Sequence, residues 1–187
     1  MLALDLDRVV FDTNAYFKHI DTQLAPLGTS MEEIFSKTGD RKDLGCLFDD
    51  LSERFGKARA EEILFKDTQN FISSEMAELA EFVMSRDGRV VIISVGDSHQ
   101  TKKLKGFPHS EIFPVVNDTE KLRAALSLKV PIFVDDKKTV IEQLRSRKVN
   151  AYQATWFLDG EHKANALKGA LNTPSELKKL VVKLLNP

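Results

Sequence analysis

Five short apolar runs, each ending in polar or acidic residues, constrain this chain most: Leu2 to Leu6, Val90 to Ile93, Ile112 to Val116, Pro131 to Val134 and Ala151 to Ala154. They read as near-continuous stretches without the in-and-out alternation of a sheet that has one wet face. Each is therefore predicted to be a strand covered on both sides, as in a parallel sheet. Helical segments separate the later runs, so that part of the chain reads as a βαβ series. The fold class that follows is α/β, a Rossmann-like core with a parallel sheet of about five strands.

Between Leu6 and Val90 no convincing strand appears, and the gap is far longer than one crossover helix needs. Helix signals fill it. Asp12 or Thr13 can cap a helix over Asn14 to Ala25, closed by Pro26 and Gly28; Ser30 with Glu33 forms a capping-box pattern for a second, ending near Gly39. A third, Leu44 to Phe55, stops at Gly56. From Ala58 to Met84, apolar residues recur at helical spacing, as one long helix or two. The expected organisation is an α/β core of residues 1–13 and 86–187 with a small α-helical cap subdomain, residues 14–85, inserted between its first two strands. A terminal helix opened by Pro174 carries a stripe of Leu177, Leu180, Val181 and Leu184, expected to pack on the core.

Composition narrows the function classes. Charged residues are 29% of the 187 but nearly cancel, to a formal net charge of −1, so no global field favours nucleic acid or an anionic membrane. The single cysteine, Cys46, excludes an intramolecular disulfide framework and a multi-thiolate metal site. Carboxylates interrupt the first apolar run where a signal peptide would continue, and no run reaches membrane-spanning length. The expectation is a cytoplasmic protein with no membrane or nucleic-acid partner.

Three strand ends carry chemistry. The first run delivers Asp5 and Asp7, two carboxylates one residue apart, at the edge where ligands bind in open α/β sheets. Such a pair repels and is costly to dehydrate, so a cation or a proton must compensate; a hard divalent ion with oxygen ligands suits it. The second run ends in Ser94-Val95-Gly96, a hydroxyl with nearby backbone N–H groups that can hold phosphate oxygens. The fourth run ends in Asp135-Asp136. On an extended strand these point opposite ways, so one is expected to reach a metal while the other orients a water or a neighbour. Lys121, near a predicted helix start, could neutralise carboxylate and phosphate together.

Asp5-Leu6-Asp7-Arg8-Val9-Val10-Phe11-Asp12-Thr13 resembles the first motif of the haloacid dehalogenase-like (HAD) superfamily, and Ser94, Lys121 and Asp135-Asp136 are similar to its second, third and fourth motifs, in order. The resemblance covers residues 1–155. It implies that Asp5 is a nucleophile forming an aspartyl-phosphate and that Asp7 is the acid/base. It further implies that Ser94 and Lys121 hold phosphate. Mg²⁺ would be bound by the Asp5 carboxylate, the Asp7 backbone carbonyl and a carboxylate of the Asp135-Asp136 pair. Family dehalogenases lack an acid two residues after the nucleophile, so Asp7 favours phosphate chemistry on a small phosphorylated metabolite.

Arg8 stands where many members carry glycine, Val9 replaces a common threonine, and Val140 stands where some have a further acid. Lys102, Lys103 and Lys105 compete with Lys121 for the third-motif role, although as a run they read as a solvated helix face. His19, His99, His109 and His162 have no metal-ligand spacing, and Trp156 and Phe157 read as edge packing. Two other functions fit the same motifs. One is a phosphotransferase or mutase that passes the phosphoryl group to a second hydroxyl; the other is a binding protein that keeps the fold without turnover.

Overall fold

The computed structural model describes residues 1–37 and 43–185. Five strands, β1 (Leu2–Leu4), β2 (Val90–Val95), β3 (Glu111–Val115), β4 (Ile132–Asp135) and β5 (Asn150–Gln153), form one sheet in the order β3-β2-β1-β4-β5. Every pairing is parallel. The helices are α1 (Thr13–Leu24), α2 (Met31–Lys37), α3 (Leu44–Phe55), α4 (Lys57–Phe65), α5 (Ser74–Met84), α6 (Gln100–Lys103), α7 (Asp118–Ser127), α8 (Lys138–Ser146), α9 (Gly160–Ala164) and α10 (Pro174–Leu185). Among the described residues, no helix is long and apolar enough to cross a membrane.

Side chains alternate across each strand, which gives the sheet two apolar faces. Leu2, Leu4, Ile92, Ile132 and Val134 face the side where α5 packs on β2 and α10 on α5, in an apolar cluster that continues into α1 to α4. Ala3, Val91, Ile93 and Phe133 face α7 and α8, where Leu122, Ala125, Val140, Ile141 and Leu144 close over them. Both faces are dry over the central strands β1, β2 and β4, which is why these lack alternation. The edge strand β3 corrects the expectation: Glu111 and Pro114 are exposed, and Val116, just beyond it, is 77% exposed. Leu177 and Val181 of the terminal stripe are buried against this core, with α10 on α5, whereas Leu184 at its end is 52% exposed.

The first strand is shorter than the run Leu2 to Leu6. Asp5 N still donates to Val134 O at 2.8 Å, but Leu6 N turns back to Asp5 Oδ1 at 2.8 Å, and Leu6 O then accepts from Val10 N and Phe11 N at 3.0 Å each. The chain thus folds into a tight flap directly after the strand. Asp12 caps α1 by accepting from Ala15 N at 3.0 Å, and Gly28, in the left-handed region at φ 73°, ends the turn after it. Ser30 Oγ accepts from Glu33 N at 3.2 Å before α2; the predicted end near Gly39 lies outside the described residues.

The segment 58–84 is two helices separated by a 3₁₀ turn, Thr68–Phe71. The break has a tertiary cause. Asp12 N donates to Phe71 O and Ser73 N to Val10 O, both at 2.8 Å, so residues 71 to 73 pair with the flap instead of continuing a helix. Ser73 Oγ then accepts from Met76 N at 3.3 Å and starts α5.

Candidate active site

The C-terminal ends of β1, β2 and β4 lie side by side, and the polar residues that terminate them converge. Asp5, immediately after β1, is buried, and so is Asp135, the last residue of β4. Lys121, from the first turn of α7, is also buried and places Nζ 2.9 Å from Asp5 Oδ1 and 2.9 Å from Asp135 Oδ2. Asn117 fixes that turn, its Oδ1 accepting from Glu120 N at 3.0 Å. Of Lys102, Lys103, Lys105 and Lys121, it is Lys121 that bridges Asp5 and Asp135.

Asp136 joins the same group. Carboxylate oxygens of Asp5, Asp135 and Asp136 all lie within 4.8 Å of one another. The opposed orientation expected for the Asp135-Asp136 pair is therefore corrected: β4 ends at Asp135, so strand alternation no longer governs Asp136. Gln153 Nε2 donates to Asp136 O at 2.9 Å and Lys137 N to Asp135 Oδ1 at 2.8 Å, which fixes this loop. Arg8 Nη1 reaches Asp136 Oδ2 only at 3.5 Å.

Ser94, one residue before the end of β2, is buried, and among the described residues its Oγ has no hydrogen-bond partner. It lines a cavity of about 270 Å³ together with Asp5, Asp7, Lys121, Asp136 and Phe17 of α1. A buried hydroxyl without a partner is costly unless a ligand or water supplies one.

Asp7 has separate partners. Thr13 Oγ1 donates to its Oδ1 at 2.6 Å, Lys103 Nζ sits 2.6 Å from the same oxygen, and Gln100 Nε2 approaches Oδ2 at 3.4 Å. The Asp7 carboxylate stands outside the three-carboxylate group. Lys103, read from the sequence only as a rival to Lys121 in a solvated run, has a different place: it is 1% exposed, pairs with Asp7, and its ammonium lies over the rings of Phe11 at 5.1 Å and Tyr16 at 5.7 Å. The available signal was the spacing Gln100-x-x-Lys103, which puts both residues on one side of a helical turn. Trp156 Nε1 donates to Val9 O at 2.9 Å and so braces the flap.

The electrostatics follow from one ammonium serving three acids. Burial pushes the Asp5 carboxyl up to about 7; Lys121 opposes this, while Asp135 and Asp7 add to it. Burial also raises Asp135 and Asp136, the latter further through Asp5. Burial lowers the Lys121 ammonium, but Asp5 and Asp135 outweigh it and hold the ammonium above its ordinary range. Burial acts to raise Asp7, yet the charge and hydrogen bond of Lys103, with the Thr13 hydroxyl, hold it below the usual carboxylate value. Three hard oxygen donors short of positive charge fit a hard divalent cation such as Mg²⁺, whereas a soft, thiolate-seeking metal finds no ligand here.

No family model and no curated protein matches the chain by sequence. Solved structures do match over nearly the whole length. A HAD phosphatase from Thermococcus onnurineus is 16% identical with TM-score 0.62, covering 96% of each chain. The 2-haloacid dehalogenase from Pseudomonas syringae pv. Tomato DC3000 is 14% identical with TM-score 0.60, covering 98% of each. The chain has the haloacid dehalogenase-like fold. A further HAD-fold structure, YfnB from Bacillus subtilis, solved bound to magnesium, is 12% identical with TM-score 0.62 and covers 100% of this chain and 98% of its own. Phosphatase and dehalogenase share this architecture, so the fold alone does not name the reaction and the side chains must.

Proposed function

We propose that this protein is a Mg²⁺-dependent phosphohydrolase that cleaves a small phosphomonoester through an aspartyl-phosphate on Asp5. The observation that carries the reading is the placement of Lys121, bridging Asp5 and Asp135, beside a cavity lined by Ser94, whose hydroxyl has no partner among the described residues. Asp5, Asp135 and Asp136 with the Asp7 backbone carbonyl would hold Mg²⁺, which when bound neutralises charge on the phosphate oxygens and lets the carboxylates stay ionised together. That the similar YfnB structure contains magnesium supports this choice of ion.

In the first half-reaction, Ser94 Oγ and Lys121 Nζ seat the phosphoryl group, and an Asp5 oxygen attacks phosphorus as the bond to the leaving alcohol breaks. Asp7 donates a proton to the departing oxygen. An incoming phosphate dianion raises the proton affinity of its neighbour, so Asp7, ionised in the free protein, carries a proton into this step. In the second, Asp7 takes a proton from water, which attacks phosphorus and releases inorganic phosphate and the free Asp5 carboxylate. Asp7 also separates this reading from dehalogenation, in which no acid is needed at that position.

Of the residues 14–85 expected to form the cap, α1 to α4 close over the cleft and choose the substrate, a reading supported by Phe17 of α1 in the cavity wall, while α5 packs on β2 and α10 and belongs with the core. The cavity of about 270 Å³ suits a small phosphorylated metabolite.

A panel of phosphomonoesters assayed for inorganic phosphate, with Mg²⁺ and with EDTA, tests the reading. Turnover that needs Mg²⁺, needs no added acceptor and is abolished in Asp5→Asn is expected. Unchanged turnover in Asp5→Asn overturns the nucleophile assignment, and phosphate release that requires a second hydroxyl compound converts the reading to a phosphotransferase.

A further inference from the structure

Helix α6 is one turn long, yet its side chains engage two separate parts of the molecule. Gln100 and Lys103, three residues apart and so on one side of the turn, both reach Asp7, at 3.4 and 2.6 Å. Lys102 points the other way. Its ammonium lies 2.9 Å from Glu61 Oε1 and sits over the rings of Phe65 at 4.6 Å and Phe48 at 5.2 Å, which belong to α4 and α3.

His99, directly before the turn, packs on the same two rings, 4.8 Å from Phe48 and stacked on Phe65 at 5.8 Å with an interplanar angle of 8°. Its Nδ1 lies 3.1 Å from Asp97 Oδ1. Thr68 Oγ1, in the 3₁₀ turn after α4, donates to Lys102 O at 3.3 Å. The turn is thus held between helices α3 and α4 on one side and the Asp7 carboxylate on the other.

A single helical turn has little stiffness of its own, because nucleation fixes several residues for very few hydrogen bonds. Its place is set by what its side chains touch. On the Asp7 side, a buried ammonium requires a carboxylate, and among the described residues Asp7 is the one paired with Lys103. Asp7 itself is 30% exposed in its side chain and would be free to change rotamer without its donors.

We propose that Lys103 is the positioning residue for Asp7, and that α3 and α4 set its station through Lys102 on the same turn and His99 directly before it. The inference rests on the acid/base reading of Asp7 given above. It gives the inserted helices a second role, since besides covering the cleft they fix the geometry of the proton-transferring group through α6. Because Lys103 lies outside the phosphate cradle of Ser94 and Lys121, its loss should act on kcat and leave KM nearly unchanged.

The test is a double-mutant cycle on the alkyl phosphomonoester that wild-type protein hydrolyses fastest, since a poor leaving group depends on Asp7. Lys103→Met should lower kcat by about 100-fold, the lower range for general acid–base catalysis, with KM within about threefold. Lys102→Met, which touches neither Asp7 nor the phosphate cradle, should lower kcat by about fivefold in the wild-type background and have no further effect on Lys103→Met. A wild-type kcat in Lys103→Met, or additive effects in the double variant, overturns the proposal.

A readout without substrate covers the case in which Lys103→Met fails to fold. The buried ammonium of Lys103 should give a slowly exchanging ¹⁵N-edited NMR resonance that Lys102→Met shifts or broadens. An unperturbed resonance in Lys102→Met overturns the coupling. If wild-type protein hydrolyses no phosphomonoester, the phosphohydrolase reading fails while this resonance still decides whether α6 links Lys102 to Lys103.

Discussion

Arg8 adopts φ 60°, a left-handed backbone conformation that costs a residue with a Cβ roughly 1–2 kcal/mol. It stays there because the flap leaves no alternative: Arg8 N donates to Phe11 O at 2.8 Å while Leu6 O accepts from Val10 N and Phe11 N. Arg8→Gly and Arg8→Ala lose the same side chain, with its long 3.5 Å contact to Asp136, but only glycine relieves the backbone. Glycine also loosens the unfolded chain, so Arg8→Gly should be more stable than Arg8→Ala by about 0.5–1 kcal/mol in urea unfolding. Equal stabilities would mean that the flap relaxes around any residue. At this scale the carboxylates and Ser94 were legible because each sits where an apolar run ends. Lys103 was not. A lysine in a Lys-rich run looks solvated, and only the fold shows that its neighbour Lys102 faces outward while Lys103 faces Asp7.

The central strands were legible as elements because burial on both faces writes itself as an unbroken apolar run, and α1 and α3 because Asp12, Gly28 and Gly56 mark ends of theirs. The segment 58–84 remained open between one helix and two because its interruption is not local. The periodicity of Ile63, Leu64, Phe71, Ile72 and Met76 suits a helix throughout, and the break comes from pairing with residues 10 to 12 of the flap. Beyond that pairing, α5 must restart, and Ser73 satisfies its first turn through the hydrogen bond from Met76 N. Ser73→Ala should therefore cost about 1 kcal/mol, read as a lower urea midpoint at unchanged slope, since the Ser73 N to Val10 O bond survives the substitution. A loss near zero would show that the flap pairing alone fixes the start of α5.

For the whole molecule, the carboxylate cluster makes stability, metal and pH one problem. Asp5 is raised from 3.8 to about 7 in the folded state, chiefly by burial, so between these values the folded protein binds more protons than the unfolded chain. Without metal, this contribution is fully present below about pH 4 and is lost as pH rises through about 7; the raised Asp135 and Asp136 act with the same sign. Asp7, held low by Lys103 against its burial, acts oppositely but in the acid range below its ordinary value, so the two windows do not overlap. A divalent ion held by the ionised cluster must displace the Asp5 proton, and its affinity tightens as pH rises. In EDTA the melting temperature should therefore fall between about pH 5 and pH 8. Mg²⁺ at about 100 times its Kd should restore about 2.7 kcal/mol at pH 8, or roughly 5–10 °C for a chain of this size. The same Mg²⁺ concentration at about pH 5 should raise the melting temperature much less, because protons then compete for the cluster. Scanning calorimetry at the two pH values, with EDTA and with Mg²⁺, measures all four quantities, and a Mg²⁺ increment independent of pH would place the ion away from Asp5.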